Sequence, residues 1–137
     1  MKVYVAGPMT WKPQFNIPTF DAAAENLRNQ GYEVISPAEL DDPDTRAAAL
    51  ASPDGAPASG VVNGETWGDF LARDVKLIAD GGIERIYVLP GWEESSGAQL
   101  ETFVAARKGI PVYDYTRGGR VTDVELLDAW SRPLLPR

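Results

Sequence analysis

Four short apolar runs, each followed by a stretch with helical spacing, constrain this chain more than any single motif. Residues 3–6 (VYVA) form a β-rich run closed by Gly7-Pro8, a turn signal. Residues 18–30 then set Phe20, Ala23, Ala24 and Leu27 at helical intervals, and Gly31 stops them. Residues 32–36 (YEVIS) read as a second strand, ended by Pro37. A helix over 66–79 carries the stripe Trp67, Phe70, Leu71, Leu77 and Ile78, and Gly81-Gly82 ends it. Residues 83–89 (IERIYVL) give a third strand with Pro90-Gly91 at its exit. A helix over 96–108 stopped by Gly109, a strand over 110–113 and a last helix capped by Thr122 and running through Trp130 complete the pattern. Residues 131–137 read as a tail.

Such alternation implies parallel strands joined by right-handed crossovers. The runs are apolar throughout, as expected where helices cover both faces. The expectation is therefore a small doubly wound α/β fold, flavodoxin-like or Rossmann-like, with a parallel sheet of four to five strands. At 137 residues there is room for one core, so residues 1–137 read as a single domain. Residues 41–64 depart from the pattern, being rich in Asp, Ala, Pro, Gly and Ser and free of aromatics. They read as an inserted loop or lid with one helical turn in TRAAAL. Within it, Asp41, Asp42 and Asp44 read as solvated surface.

Absences narrow the chemistry. With no His and no Cys, nucleophile schemes built on Ser-His-Asp or Cys-His are excluded within the chain, as are His/Cys zinc sites and CxxC redox chemistry. Proton and nucleophile work must come from Asp, Glu, Tyr, Lys or Ser, or from a bound group. A net charge of -7 argues against a nucleic-acid polymer as partner, because that needs a basic face. A small anion held by backbone N–H groups at a helix start remains compatible. No run reaches the length of a membrane span, and MKVYVAGPM lacks the apolar region of a signal peptide. The expectation is a soluble cytoplasmic protein with no membrane partner.

In doubly wound sheets the ligand lies beyond the carboxyl ends of the strands, where the strand order switches. That places it near residues 7–16, 41–64 and 90–97. Two carboxylates near these places sit badly with their neighbours. Asp74 falls in the middle of the apolar stripe of its helix, so it must be hydrogen-bonded, paired or facing a pocket. Glu101 lies one turn into the helix after strand three, at the edge of the stripe made by Leu100, Phe103 and Val104. Ahead of it, Ser95 or Ser96 would cap the helix and Gly97 permits close backbone approach, a cradle for an anion or simply a helix cap. Gly7, Pro8, Met9 and Thr10 come after strand one where many such folds touch a ligand, without a dinucleotide or P-loop signature. Trp11, Phe15 and Trp92 occupy these loops, where a ring could stack on a base or cover the core. Adjacent Glu93 and Glu94 read as a solvated turn rather than a metal site.

Taken in order, VYVAGPM, GYEVISP, RDVKLI, SSGAQLE and ARKGIPV resemble the nucleoside 2-deoxyribosyltransferase-like superfamily, which includes nucleoside 5′-monophosphate N-glycosidases. The resemblance covers most of the chain apart from the long loop and the tail. It implies that Glu101, in the Gly-x-x-x-Glu element beginning at Gly97, attacks C1′ of a (deoxy)ribosyl nucleoside and displaces the base. Tyr4 would hold that carboxylate, and Asp74 would sit near the sugar and the leaving base. The loop after strand one, with Gly7, Pro8, Met9, Trp11 and Phe15, would line the substrate site together with Trp92. Where the transferases carry an Asp six residues before the nucleophile, this chain has Ser95, as the nucleotide N-glycosidases do. With Ser96 and Gly97, Ser95 would then receive a 5′-phosphate. The resemblance implies no metal and no organic cofactor, a small nucleoside or nucleotide as partner, and a homodimer or larger homo-oligomer. A PGGxGTxxE element, typical of phosphoribohydrolases, is absent. A non-catalytic nucleotide-binding or sensing protein on the same fold is the alternative, and a degenerate partner-binding relative a third reading.

Overall fold

The computed structural model describes residues 1–57 and 64–134. Its strands are β1 (Lys2–Ala6), β2 (Glu33–Ile35), β3 (Arg85–Val88) and β4 (Val112–Asp114). They form one parallel sheet in the order β2-β1-β3-β4. The helices are α1 (Ile17–Asn29), α2 (Pro43–Ala51), α3 (Trp67–Asp80), α4 (Ser96–Arg107) and α5 (Asp123–Ser131). The fold is thus the small doubly wound α/β arrangement expected, with four strands.

Strand pleating sorts the sheet's side chains between two cores. Tyr4, Ala6, Ile86, Val88 and Val112 face α3, α4 and α5, meeting Ile78, Ala98, Ala105, Leu126 and Ala129. Val3, Val5, Val34, Tyr87 and Leu89 face α1 and α2, meeting Phe20, Ala23, Ala24, Leu27 and Ala49. Beyond α1, Tyr32, Tyr87 and Tyr113 pave the remainder of that face, with the Arg85 guanidinium 4.0 Å from the Tyr113 ring centre.

Helix starts arise from local chemistry. Thr66 and Asp69 at α3, and Thr122 and Glu125 at α5, form reciprocal capping boxes, with side-chain caps worth about 1 kcal/mol each. Thr122 is the cap expected, and the helix it starts runs through Ser131, the first residue of the expected tail.

Residues 41–64 differ from the expected loop. Asp42 caps α2 by accepting from the Thr45 N–H, and Pro43 stands at its first position, so nine residues are helical instead of one turn. Two backbone bonds tie Ser52 and Gly55, just past α2, to the loop after β1: Trp11 N–H donates to Gly55 O (2.7 Å) and Gln14 N–H to Ser52 O (2.9 Å). Gly55 is required there, since a Cβ would lie 2.2 Å from Lys12 O. The described part of the segment is therefore packed structure; residues 58–63 and 135–137 lie outside the described residues.

Candidate active site

The order β2-β1-β3 switches direction beside β1, and a cleft of about 150 Å³ opens at that carboxyl end. Tyr4 lies beneath its floor and does not itself line it. Tyr4 pairs with Ile35 on one side and Ile86 on the other, and its ring is fully buried. The hydroxyl donates to Glu101 Oε2, 97 residues away in sequence. Glu101 reaches that point because Ala98, Glu101, Thr102 and Ala105 form the buried face of α4. Ser95 starts that helix by accepting from the Ala98 N–H at 3.2 Å.

Burial sets the ionisation of this pair. Glu101 is 5 % exposed, and desolvation first, then the nearby Asp74 charge, push its carboxyl up to about 8, against the opposing pull of the Tyr4 hydroxyl and Arg73. The Tyr4 hydroxyl is pushed well above its ordinary range, by burial and then by Glu101, so it stays a proton donor. Asp74 is also raised by burial, with Arg73 pulling the other way. With burial holding its carboxyl at about 8, Glu101 favours the protonated form at neutral pH.

Asp74 satisfies two of the possibilities open to a carboxylate on an apolar stripe: it lines the cleft and it is paired. Arg73 Nε donates to Asp74 Oδ1 at 2.9 Å, and Arg73 Nη1 to Asp41 Oδ1 at 2.7 Å. Asp41, expected at the solvated surface, has a side chain only 11 % exposed and borders the cleft. Composition hides it; the Pro37–Glu39 turn delivers it inward. The stripe of α3 also differs from a core stripe, since Ile78 is its buried member while Trp67, Phe70 and Leu71 line the cleft.

Of the other residues singled out, Gly7, Met9, Phe15 and Gly97 line the cleft. Gly7 lies so close to β3 that a Cβ would stand 2.8 Å from Leu89 Cβ, so this position suits only a residue without one. Phe15 is brought in by an unusual turn: Gln14, Phe15 and Asn16 all take left-handed φ values between 51 and 60°, and Asn16 Nδ2 donates to Pro8 O. Pro8 does not line the cleft; its carbonyl anchors that turn. Trp11 also lies off the cleft and is 53 % exposed. Trp92 belongs to the core under α4 and α5, turned inward by the Trp92–Glu94 turn, so its ring is unavailable for stacking on a ligand in this structure. Ser95 is buried with its hydroxyl engaged in capping, and Ser96 is half-buried outside the lining, which leaves Gly97 as the member of that trio bordering the cleft. Thr45, Ala49 and Pro57 complete the opposite wall, none of them marked by any sequence signal of chemistry.

The assembled site is an apolar, partly aromatic cleft with a protonated carboxylic acid at its floor, a second carboxylate paired to one cation, and a buried phenol between β1 and α4. Among the described residues no group of three or more carboxylates is placed to hold a metal ion. No helix among them is long and apolar enough to cross a membrane. Neither the curated proteins nor the solved structures offer a match to this chain. A family match does exist and spans β1 to β4: through residues 1–114, the chain belongs to the family described as a domain of unknown function, DUF4406.

Proposed function

We propose that this protein cleaves the N-glycosidic bond of a (deoxy)nucleoside or nucleoside 5′-monophosphate. Once ionised, Glu101 attacks C1′ as the C1′–N bond breaks. The leaving nitrogen keeps the electron pair of that bond and takes up a proton from water, while the Asp74 carboxylate in the cleft faces the positive charge that develops on the sugar. Water or a second base then attacks C1′ of the glycosyl ester, loses a proton, and frees the carboxylate. The observation that carries the reading is the Glu101 carboxyl, buried at the cleft floor and held by Tyr4 beside Asp74. The apolar wall of Phe15, Trp67 and Phe70 supports a planar base as the departing group. Gly97, in the first turn of α4, keeps a 5′-phosphate near a helix start within the reading.

One observation favours the non-catalytic alternative. With its carboxyl pushed up to about 8, Glu101 supplies little nucleophile at neutral pH until a substrate enters. A chromatographic screen of purified protein against the common nucleosides and 5′-monophosphates, with and without a second free base, separates the readings. Base release from a substrate alone is expected for a glycosidase, and exchange that needs the second base for a transferase. Binding without release in any combination would overturn the enzymatic reading in favour of a nucleotide sensor.

A further inference from the structure

Arg73 makes polar contact with both walls of the cleft. From α3 its guanidinium holds Asp74 on its own helix and Asp41 on the facing segment, with Nη2 3.5 Å from Pro37 O. Both carboxylates are largely buried, their side chains 13 % and 11 % exposed, and the guanidinium carbon lies 5.6 Å from the centre of the Phe70 ring. The facing segment is tied elsewhere to α1, through Arg28 to Glu39 and Arg46 to Asp21. Those bonds fix one wall only. Among the described residues, the Arg73–Asp41 ion pair crosses to the other.

The wall it crosses to needs such a fixture. Ile78, near the carboxyl end of α3, is that helix's buried residue, while Trp67, Phe70 and Leu71 in its first turns face the cleft. Those first turns have little core to hold them, and Asp74 sits where they join the anchored part. A planar fork can serve two carboxylates in different directions at once, which a lysine's point charge does poorly.

Building on the glycosidase reading, we propose that Arg73 is a positioning residue: a strut from Asp41 across the cleft that sets the place of Asp74 relative to Glu101. It acts through Asp74 and need not touch the substrate.

The test compares D41A and R73K with the parent by hydrogen exchange and by base-release kinetics. D41A removes the far anchor while leaving Arg73 and Asp74 intact, and R73K keeps the charge while losing the fork. Both are expected to speed amide exchange in the first turns of α3 by about tenfold or more, without global unfolding. Both are also expected to lower kcat by a larger factor than they raise KM. If R73K retains parental exchange and kcat, charge alone suffices and the strut is overturned. The strut is equally overturned if D41A exchanges like the parent. If the parent releases no base from any substrate, the glycosidase reading fails by itself, and the exchange measurement still decides whether Arg73 braces α3.

Discussion

The Tyr4 hydroxyl donates to the Glu101 carboxyl from the centre of the sheet, joining the first strand to the first turns of α4 beneath the cleft. A buried phenol that stays protonated and a buried acid that resists ionisation are thereby held in one place. A carboxyl so arranged can neither drift nor ionise freely, and each property leads to a measurement.

Replacing Glu101 with Gln or Ala is expected to abolish base release, by at least about a thousandfold, since the chain has no His or Cys to take over nucleophilic attack. Circular dichroism and nucleotide binding should remain close to the parent. Unchanged release from E101A would reject Glu101 as nucleophile.

The same residue governs stability against pH. Its folded carboxyl titrates at about 8, above the usual carboxylate value of 4.5, so between these values the folded protein binds a proton that the unfolded chain has released. Stability from this group is therefore full below about 4.5 and falls as the pH rises through about 8, by an amount on the order of a few kcal/mol. E101Q, whose amide can still accept from Tyr4, should lose less Tm than the parent between pH 5 and 9. Parallel melting curves across that range would show that Glu101 is not the strained group.

Asp74→Asn removes a negative charge that raises Glu101, second in effect to burial. The rising limb of kcat/KM, which reports the free enzyme, should then move to lower pH than the parent's limb near 8. The plateau rate should fall about a hundredfold through loss of the carboxylate that faces the charge developing on the sugar. A limb that stays put would mean that the two carboxyls do not interact.

Tyr4→Phe takes away the hydroxyl that favours ionised Glu101, so the limb should shift the other way, upward. Leaving a buried carboxyl without its donor should also cost about 1–3 kcal/mol, measurable by urea denaturation. A limb displaced downward, or no loss of stability, would contradict the contact's role.

Much of this architecture is legible in residue order. Alternating apolar runs and helical stripes mark out β1 through α5, and Asp74 and Glu101 stand out because each breaks a local pattern. Helix α2 is hidden because its alanine-rich stretch lies in Pro- and Asp-rich surroundings, although Asp42-Pro43 is itself a helix start. Arg73 and Asp41 are 32 positions apart, and nothing in spacing marks two charges that meet only when α3 folds against the β2–α2 connection. Trp92 defeats the sequence reading for a related reason: a loop aromatic can turn in or out, and the choice belongs to a single turn's backbone.

The cleft-facing side of α3 carries a thermodynamic consequence. Trp67, Phe70 and Leu71, with Met9 and Phe15 opposite, line the cleft, so part of this chain's apolar surface is left for a ligand to cover after folding. A molecule that fills the cleft completes a core, whatever its chemistry at the floor. Its binding will carry a negative heat-capacity change and lift the melting temperature in proportion to its occupancy. The protein is in that sense its own reporter: calorimetry can find the natural occupant before any reaction has been observed.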